Sequence, residues 1–504
     1  MDSPDDNPGT HRGWILAALM LAEMLAAMDT TIVSTAVPQI VGDLGGFTLF
    51  SWLFSIYLLA QTATIPVYGK LADLYGRKPV LIVGTLIFLV GSAACAGAWN
   101  MVSLIAFRGL QGLGAGSIMA TVNTIAGDLY SVRERARVQG WLSSVWGMAA
   151  IVGPTLGGAF AEYASWRWIF LINLPIGIAA ITMISRYLHE QGVGRRHHID
   201  FAGAALMMLA GSAVILGLLQ GGHAWAWISA PSIGVFGIAA LLIVATFRVE
   251  RRSPEPIMPG WVWRRRTLVG SNLAAVGMGV VMMGPNTYLP TFAQSVLSLG
   301  AIAAGLVLAS MSIGWPIASS WSGRLYLRIG FRDAGLLGAL LMFAASVGFF
   351  LLPYPGPIWA IVADQIMLGA GFGLLSTPLL VGIQSAATWR ERGVITSANI
   401  WSRYLGQSLG AAVVAAIFNA TMRHQLQQAP ASLSGHLPAV NDVINALQSE
   451  TLTADAEQYL RVAFYTATRH VYAGVAVAAL LTLAVVFIAP RQFPVSKEEG
   501  KEEV

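Results

Sequence analysis

The sequence has little charge and a single cysteine, and each shortage excludes a class of protein. Charged residues make up 11% of the 504 residues, whereas an ordinary soluble domain carries about 25%, which argues against a soluble enzyme. Cys95 stands alone in an apolar run, so a disulfide framework and a four-cysteine metal site are both excluded. No G-x-x-x-x-G-K-[ST] phosphate loop is present. We therefore expect no metal, no cofactor and no step driven by ATP.

Long apolar runs are what the chain does have, and hydrophobic residues make up 56% of it. A membrane-spanning helix needs about 20 mainly apolar residues. Fourteen windows meet this need, at about 14–38, 50–69, 79–98, 101–124, 140–161, 167–188, 201–220, 232–249, 268–291, 301–321, 334–352, 357–380, 394–418 and 470–490. The sequence thus predicts an all-α membrane protein with fourteen transmembrane helices, the first of them uncleaved.

The basic residues predict the orientation. If both termini are cytoplasmic, the cytoplasmic segments hold 24 of the 30 lysine and arginine residues, as the positive-inside rule requires. Membrane topology then explains the net charge of +5, because the arginines lie in short loops and form no continuous face for nucleic acid. We expect a multi-pass protein of the cell inner membrane, in contact with the lipid bilayer and without a nucleic-acid partner.

The chain repeats itself about halfway along. Gly112 and Gly369 each lie 21 residues before an Arg-Glu-Arg triplet, at a mutual spacing of 257, and Gly69 recurs as Gly323 at a spacing of 254. Parallel repeats of this kind place a substrate site between two halves, near the middle of the bilayer. We infer a first six-helix half at 1–200, two inserted helices at 201–250, and a second six-helix half at 251–504 with an external loop at 419–469.

The turn between spans 2 and 3 carries the most specific motif, Gly69-Lys70-Leu71-Ala72-Asp73-Leu74-Tyr75-Gly76-Arg77-Lys78-Pro79. Its glycines permit a tight turn and a close approach of helix ends, and its charged residues can form ion pairs that break when two halves rock. The motif resembles the loop signature of the major facilitator superfamily at nearly every position. The second copy has Leu327 in place of Asp73 and Phe331 in place of Arg77, so we expect this ion-pair latch to be mainly a first-half device.

Further motifs extend the resemblance and narrow it. They are Met28-Asp29-Thr30-Thr31-Ile32-Val33 in span 1, Arg108-Gly109-Leu110-Gln111-Gly112 in span 4, Gly153-Pro154-Thr155-Leu156-Gly157-Gly158 in span 5 and Arg403-Tyr404-Leu405-Gly406-Gln407 in span 13. Together they are similar to the fourteen-span drug:proton antiporter branch of that superfamily. The resemblance implies a major facilitator fold of two six-helix bundles plus two inserted helices. It also implies a proton-coupled antiporter that exports amphipathic, often cationic drugs or toxic compounds by alternating access.

Two other interpretations stay open beside this one. The same machine could export a native lipid, siderophore or metabolite, which the sequence does not distinguish from drug export. A membrane-embedded transferase would need a His/Asp or metal constellation, and the eight histidines fall in tails, loops or helix ends. We expect no enzymatic activity, and as partners a small-molecule substrate, protons and the bilayer. We also expect a monomer. Whether a periplasmic adaptor protein is a further partner is an open question at this stage.

Ionisable residues inside the predicted spans are few. A charge at mid-helix costs about 2.5 to 3.5 kcal/mol on insertion scales, so such residues are candidates for function. Asp29 and Arg108 lie at similar depths, about 13 and about 10 Å of helix from the same side, and the family resemblance implies that they are neighbours. We expect Asp29 to carry the proton with Arg108 as its partner, although a purely structural Asp29–Arg108 pair is the alternative. Glu23 and Asp364 are the further candidates for proton coupling; a packed or snorkelling side chain is the competing interpretation for Glu23, and Asp364 could equally serve substrate binding or have neither role. Glu23 points about 120° away from Asp29 around the helix.

Two further groups of candidate residues complete the predicted site. The side chains suited to an amphipathic aromatic substrate are Tyr57, Gln61, Trp146, Asn286, Tyr288, Gln294, Trp315, Trp401 and Arg403. For the aromatic and amide residues among them, packing or a place in the interfacial belt is the competing interpretation. The residues assigned to the conformational change are Gly69, Asp73, Gly76, Arg77, Asp128, Gly153, Pro154, Gly157 and Gly158.

Overall fold

The computed structural model of the chain describes residues 8–46, 49–50, 52–190, 200–221, 225–430, 433, 437–438, 440, 443–448, 452–491 and 493. Within these ranges the regular structure is helical, with no β-strand. Some residues of the sequence analysis lie outside the described ones: the basic loop residues Arg195, Arg196, Lys497 and Lys501, and the histidines His197, His198, His223 and His436.

Seventeen α-helices follow one another along the described part of the chain. They are α1 Pro8–Leu44, α2 Trp52–Tyr75, α3 Arg77–Ala96, α4 Met101–Leu129, α5 Val132–Tyr163, α6 Trp168–Leu171, α7 Asn173–Tyr187, α8 Phe201–Gln220, α9 Ala230–Glu250, α10 Arg266–Ser295, α11 Ala301–Ala309, α12 Met311–Ile329, α13 Phe331–Leu351, α14 Ile358–Ser385, α15 Arg392–Gln427, α16 Val443–Gln448 and α17 Ala454–Val486. A backbone in hydrocarbon must satisfy its own hydrogen bonds, which helices do within each segment.

Among the described residues, twelve helical segments are long and apolar enough to cross a membrane. Each of the pairs α6 with α7 and α11 with α12 forms one such segment. α2 and α5 are long helices but are not among the twelve, because they contain more polar and charged residues. The chain is therefore a multi-pass membrane protein with twelve candidate spans among its described residues, and the count of fourteen stays a prediction.

The helices around the predicted external loop are longer than the sequence indicates. α15 continues to Gln427, and α17 begins at Ala454 rather than near residue 470, so only 428–453 lies between them instead of 419–469. The first turns of α17 bury Leu460, Ala463 and Phe464 while other positions are polar. An amphipathic start of this kind forms no continuous apolar run, so a search for apolar runs misses it.

The helices form two bundles with a hairpin beside them. Helices α1 to α7 pack mainly against one another, and α10 to α17 do the same. α8 and α9 pair with each other, and α8 also lies against α2 and α15. The bundles meet where α5 contacts α12 and where α2 and α4 contact α15. Arginines occur near one set of helix ends, around residues 77, 133, 251, 324 and 390. We call this side of the molecule the basic end.

Glycines allow the closest helix contacts inside each bundle. In the first bundle, a Cβ added at Gly114 of α4 would lie 2.3 Å from the Phe88 backbone nitrogen of α3. In the second bundle, a Cβ at Gly406 of α15 would lie 2.1 Å from the Val276 carbonyl oxygen of α10. Small residues at such crossings let backbones touch, which matters in lipid because no hydrophobic effect drives the helices together.

Gly406→Leu should destabilise the second bundle, because its side chain would have to displace the backbone of α10. Overpacking of this kind costs about 1–3 kcal/mol, and we expect a lower midpoint of thermal unfolding in detergent. Gly237→Leu in α9 is the matched control, since a Cβ there meets nothing within 4 Å. Equal midpoints for the two variants would contradict the packing argument.

Candidate functional site

Asp29 of α1 and Arg108 of α4 form an ion pair inside the first bundle. Arg108 Nη1 donates to Asp29 Oδ2, and the two side chains are 0% and 1% exposed for Asp29 and Arg108 respectively. The start of α4 is fixed by a capping box between Asn100 and Ser103, about two turns before Arg108. Asp29 and Arg108, which the family resemblance implied to be neighbours, are thus in direct contact.

Three more buried polar side chains surround the carboxylate. Gln111 accepts from Arg108 Nη1 at 2.8 Å and donates to Asp29 Oδ1 at 2.8 Å. Asn173 donates to Ser92 Oγ at 3.0 Å and to Asp29 Oδ1 at 3.5 Å, and Gln111 also donates to Ser92 Oγ at 3.2 Å. Both carboxylate oxygens therefore have partners, from helices α4 and α7 as well as from the arginine.

Sequence reasoning did not select Gln111, Ser92 or Asn173 as site residues. A signal existed for Gln111, because it lies three residues after Arg108 and so shares its helix face. No comparable signal exists for Ser92, because Ser92 and Asn173 come near Asp29 only when α3 and α7 pack beside α1.

Arg108 also contacts α2, through the Leu53 carbonyl oxygen and the Tyr57 ring. Arg108 Nε donates to the Leu53 carbonyl oxygen at 3.2 Å, and its guanidinium carbon is 4.2 Å from the centroid of the Tyr57 ring. Cation–π attraction strengthens when both groups are out of water, and Tyr57 is 1% exposed. In this conformation Tyr57 covers the ion pair, and its hydroxyl has no hydrogen-bond partner among the described residues.

Glu23 has a different environment on the same helix. It is 5% exposed, and its Oε1 accepts from Trp146 Nε1 of α5 at 3.0 Å. Its Oε2 has no hydrogen-bond partner within the described part of the chain. The charge of Arg403, on α15 of the second bundle, acts on Glu23. Glu23, Trp146 and Arg403 therefore lie at the boundary between the bundles.

Other candidate residues lie at the same boundary. Tyr404 of α15 is buried and donates its hydroxyl to Met119 Sδ of α4 at 3.5 Å. Trp401 is half-buried and packs against the core of the first bundle. Gln61 of α2 is 1% exposed and lies beside Tyr404. Buried polar side chains thus come together where the two bundles meet.

Asp364 lies inside the second bundle. Its Oδ2 accepts from Gln365 Nε2 at 3.1 Å, and the same amide nitrogen donates to the Tyr472 hydroxyl of α17 at 3.3 Å. Asp364 Oδ1 has no hydrogen-bond partner in the described residues. Gln365 stands at the repeat position of Arg108, 257 residues on, so the second half has a neutral amide where the first has its cation.

Four predicted substrate residues are not gathered with Glu23 and Arg403 by any described contact. Tyr288 stacks on Phe418 with ring centroids 4.3 Å apart, and Trp315 lies against Phe372 at 5.4 Å. Gln294 donates to the Pro290 carbonyl oxygen of its own helix at 3.4 Å. Asn286 is exposed. Their contacts lie within the second bundle, so a substrate role for them stays a prediction.

At the basic end, the first bundle caps a helix of the second. Asp73 accepts from the backbone N–H groups of Gly393 and Val394 at 2.9 and 2.8 Å. These two N–H groups lie at the start of α15 and have no hydrogen-bond partner within that helix. The carboxylate also favours the positive end of the helix dipole. Asp73 is thus a cap supplied by the other half of the molecule.

An ion-pair network extends this contact, and we call Asp73, Arg77, Asp128 and Arg392 the latch. Arg77 lies 3.0 Å from Asp73 Oδ1 and 2.9 Å from Asp128 Oδ2, while Arg392 reaches Asp128 Oδ1 at 2.9 Å. The Arg77 guanidinium carbon also lies 3.6 Å from the centroid of the Trp389 ring. Asp128 therefore joins an arginine from each bundle.

The glycines of the motif permit this approach. A Cβ at Gly69 would lie 2.0 Å from Ser397 Oγ and 2.7 Å from the Gly393 carbonyl oxygen, so α2 and α15 touch there. Gly76 has φ of +96° at the turn into α3, a conformation that side chains other than glycine rarely adopt. Both features were expected from the glycines of the motif, and the structure places Gly69 at the boundary of the bundles and Gly76 against Glu190 of the first half.

The second copy of the motif forms an aromatic contact instead. Phe331 stacks on Tyr326 and Phe493 with centroid distances of 4.8 and 5.5 Å. The Tyr326 hydroxyl donates to the Val132 carbonyl oxygen of α5. Leu327, which replaces Asp73, is 50% exposed. The buried ion pairs of the latch lie on the first-half copy, whereas Arg332 of the second copy pairs with the adjacent, partly exposed Asp333 at 3.0 Å.

The span-5 motif packs α5 against α1 within the first bundle. A Cβ at Gly153 would lie 2.1 Å from Thr31 Oγ1, and one at Gly157 would lie 2.2 Å from Thr35 Oγ1. Gly158 faces open space, since a Cβ there meets nothing within 4 Å. Pro154 lies inside α5, where it removes one backbone hydrogen bond.

Asp73→Asn should lower turnover with little loss of folded protein, because the charge that caps α15 and pairs with Arg77 is removed. A coupling of about 1.4 kcal/mol corresponds to a roughly tenfold fall in transport rate. Asp333→Asn is the control, since that carboxylate pairs with Arg332 at the same end but is 25% exposed. Normal transport in vesicles containing Asp73→Asn would contradict the role of the latch.

Gly157→Leu should stop exchange while substrate binding stays measurable, because the new side chain would press on α1 at Thr35. Gly158→Leu should be tolerated, since the space beside it is open. Transport and equilibrium binding are measured for both variants. Loss of binding in step with transport would indicate misfolding and contradict a conformational role.

Comparisons with known proteins agree with this architecture. A family model described as the Major Facilitator Superfamily matches residues 19–411. The chain is 36% identical to the multidrug transporter protein MdtP of Bacillus subtilis, with 85% of this chain and 80% of that protein covered. It is 33% identical to multidrug resistance protein 3 of the same organism, over 84% and 82% of the two chains.

Solved structures share the fold at low sequence identity. The human organic anion transporter MFSD10 matches with a TM-score of 0.63 and 13% identity, over 96% of this chain and 100% of that one. A bacterial homologue of the iron transporter ferroportin, in an outward-facing state, matches with a TM-score of 0.60 and 13% identity, over 94% and 98% of the two chains. At such identity the likeness concerns the fold alone.

Proposed function

The chain belongs to the major facilitator superfamily, a family of transporters rather than enzymes, and from this membership we propose that it is a proton-coupled antiporter. It exports amphipathic, often cationic compounds by alternating access. The observation that carries the proposal is the buried Asp29–Arg108 pair. An ionisable pair inside a membrane bundle is costly and usually serves ion or substrate movement.

A fourteen-span topology of the drug:proton antiporter branch is part of the proposal. α2 and α5 have 24 and 32 residues, or about 36 and about 48 Å of helix, against a hydrocarbon thickness of about 30 Å. Polar residues of both helices, such as Gln61 of α2 and Gln139 of α5, are buried among neighbouring helices, which makes a lower apolar content tolerable. With the basic end in the cytoplasm, the chain lies in the inner membrane with cytoplasmic termini.

Protonation of Asp29 is the chemical step we propose for coupling. A proton on either oxygen removes the charge that Arg108 pairs with and turns one acceptor into a donor. Gln111, Asn173 and Ser92 would then have to rearrange, and these residues come from three different helices. Uptake or release of one proton thereby changes contacts between α1, α3, α4 and α7.

The latch supports alternating access. Its contacts join the bundles at the basic end through Asp73, Asp128 and the start of α15. Separating the bundles there would leave the first N–H groups of α15 without partners and would break the Arg392–Asp128 pair. The latch thus stabilises the conformation closed at the basic end, and its opening is the switch to the other state.

The substrate class rests on the boundary between the bundles. Glu23 supplies a buried carboxylate with one unpartnered oxygen, beside the indole of Trp146. A carboxylate next to an aromatic ring suits an amphipathic cation. The relatives named as multidrug transporters favour drugs or toxic compounds over a native lipid, siderophore or metabolite. The chain works as a monomer in this proposal.

Asp29→Asn should mimic the permanently protonated state. The variant should fold, since a neutral amide costs less in the membrane than a charge, but proton-driven efflux from proteoliposomes should fall to background. Substrate added to the detergent-solubilised wild type should release protons into weak buffer, and the variant should release fewer.

Asp43→Asn is the matched control, because Asp43 is on the same helix but is 49% exposed and pairs with Arg167. Glu23→Gln should do less damage than Asp29→Asn, since Glu23 lies outside the shell of Arg108. If Asp29→Asn pumps normally against a gradient while Glu23→Gln or Asp364→Asn fails, the assignment to Asp29 is wrong.

A further inference from the structure

A cavity of about 410 Å³ lies outside the site described above, in the connector between α9 and α10. Phe247 and Arg251 line it at the end of α9, and Met258, Trp261, Trp263 and Arg264 line it from the connector. Its volume lies within the range of about 300–1,000 Å³ found for small-molecule sites. Neither proton coupling nor the latch uses these residues.

The position of the cavity is the boundary between membrane and water. α9 and α10 both qualify as spans, and the cavity lies between the end of one and the start of the other. Phe247 is 53% exposed on α9, and Trp263 is 39% exposed. Tryptophan rings concentrate at this depth because they have an apolar body and one N–H donor. The cavity thus has exposed aromatic side chains at the expected membrane boundary.

The charges at the cavity are mainly positive. Arg251 and Arg264 are both exposed, and neither guanidinium has an ion pair among the described residues. Glu250, the one acidic lining residue, accepts from the Met258 backbone N–H at 3.0 Å. Arg252 and Arg266 add positive charge at the same connector, and Glu255 adds negative charge. An anion would therefore be attracted to the two exposed arginines that line the cavity, Arg251 and Arg264.

We propose that this cavity binds the headgroup of an anionic phospholipid from the leaflet at the basic end. The phosphate lies between Arg251 and Arg264, and the acyl chains run along the exposed apolar face of α9 beside Phe247. Planar guanidinium groups match phosphate geometry, and clustered arginines at a helix–membrane boundary are the feature that anionic lipids recognise.

Contacts of the connector link this site to the latch. Arg265 lies 4.3 Å from the centroid of the Trp261 ring and 3.1 Å from Glu391 Oε1. Glu391 immediately precedes α15, whose first N–H groups Asp73 caps. Met258 and Val262 also pack against Val394 of α15. A lipid that holds the connector in place thereby stabilises the start of α15 in the latched arrangement.

The test is a lipid titration of the full chain followed by native mass spectrometry. Protein in neutral phosphatidylcholine is titrated with phosphatidylglycerol, and the wild type should retain one lipid more tightly than the rest. Arg251→Gln with Arg264→Gln should weaken that site about thirtyfold, or about 2 kcal/mol at about 1.4 kcal/mol per tenfold. Gly260→Leu, which keeps every arginine, should also weaken it, because Gly260 lines the cavity and a Cβ there meets nothing within 4 Å.

Two controls distinguish a specific lipid site from general electrostatic attraction to exposed arginines. Arg324→Gln with Arg328→Gln removes the same charge from exposed positions at the basic end, and should leave the tight lipid in place. Equal loss in both double variants, or no loss in either, would overturn the proposal. Binding of free glycerol 3-phosphate as tightly as phosphatidylglycerol would also overturn it, and would assign the cavity to a soluble phosphate.

Hydrogen–deuterium exchange gives a readout of the link to α15. Phosphatidylglycerol should slow exchange at 391–396 in the wild type and leave it unchanged in the Arg251→Gln, Arg264→Gln variant. Tight binding with no such slowing would retain the site and overturn its link to the latch. Neither measurement depends on transport, so both are independent of the proposed antiport.

Discussion

No water reaches the hydrocarbon interior of a bilayer, so each spanning segment has to satisfy its own backbone hydrogen bonds. Helices meet this constraint, and the same lack of water removes the hydrophobic drive that would otherwise hold them together. Close contact has to replace it. Gly114 against α3 and Gly406 against α10 allow backbones to touch within each bundle, and Gly69 against Ser397 does so between bundles. These glycines are thus needed for close helix packing in lipid.

The same constraint explains how the buried charges are arranged. Asp29 has a cation and amide donors from two helices on its two oxygens. Glu23 and Asp364 each retain an oxygen with no partner among the described residues. A fully bonded carboxylate holds helices together until its charge changes, whereas a partly bonded one has capacity left for a ligand or a proton. The three acids therefore differ in environment although they share a chemistry.

The latch forms a different kind of interaction, because it lies at helix ends, where backbone N–H groups lack partners within their own helix. Asp73 satisfies N–H groups of α15 that no residue of that helix can satisfy. The joint between the bundles is for this reason also a helix cap, and opening it exposes backbone donors as well as separating charges. The other copy of the motif uses the Tyr326 hydroxyl and stacked rings, so the two bundles meet through unlike chemistry at the two copies of the motif.

The sequence by itself determined the membrane class, the helical windows, the repeat and the pairing partner that family resemblance gave Asp29. Apolar runs and motifs are local, so these features can be found in order along the chain. The sequence missed the early start of α17, because that stretch is amphipathic. It also did not find Ser92 and Asn173, since only the packing of α3 and α7 beside α1 brings them to the carboxylate. Tertiary structure alone decided that Asp73 caps a helix of the other half, because no pattern in residues 69–79 specifies a partner 320 residues away.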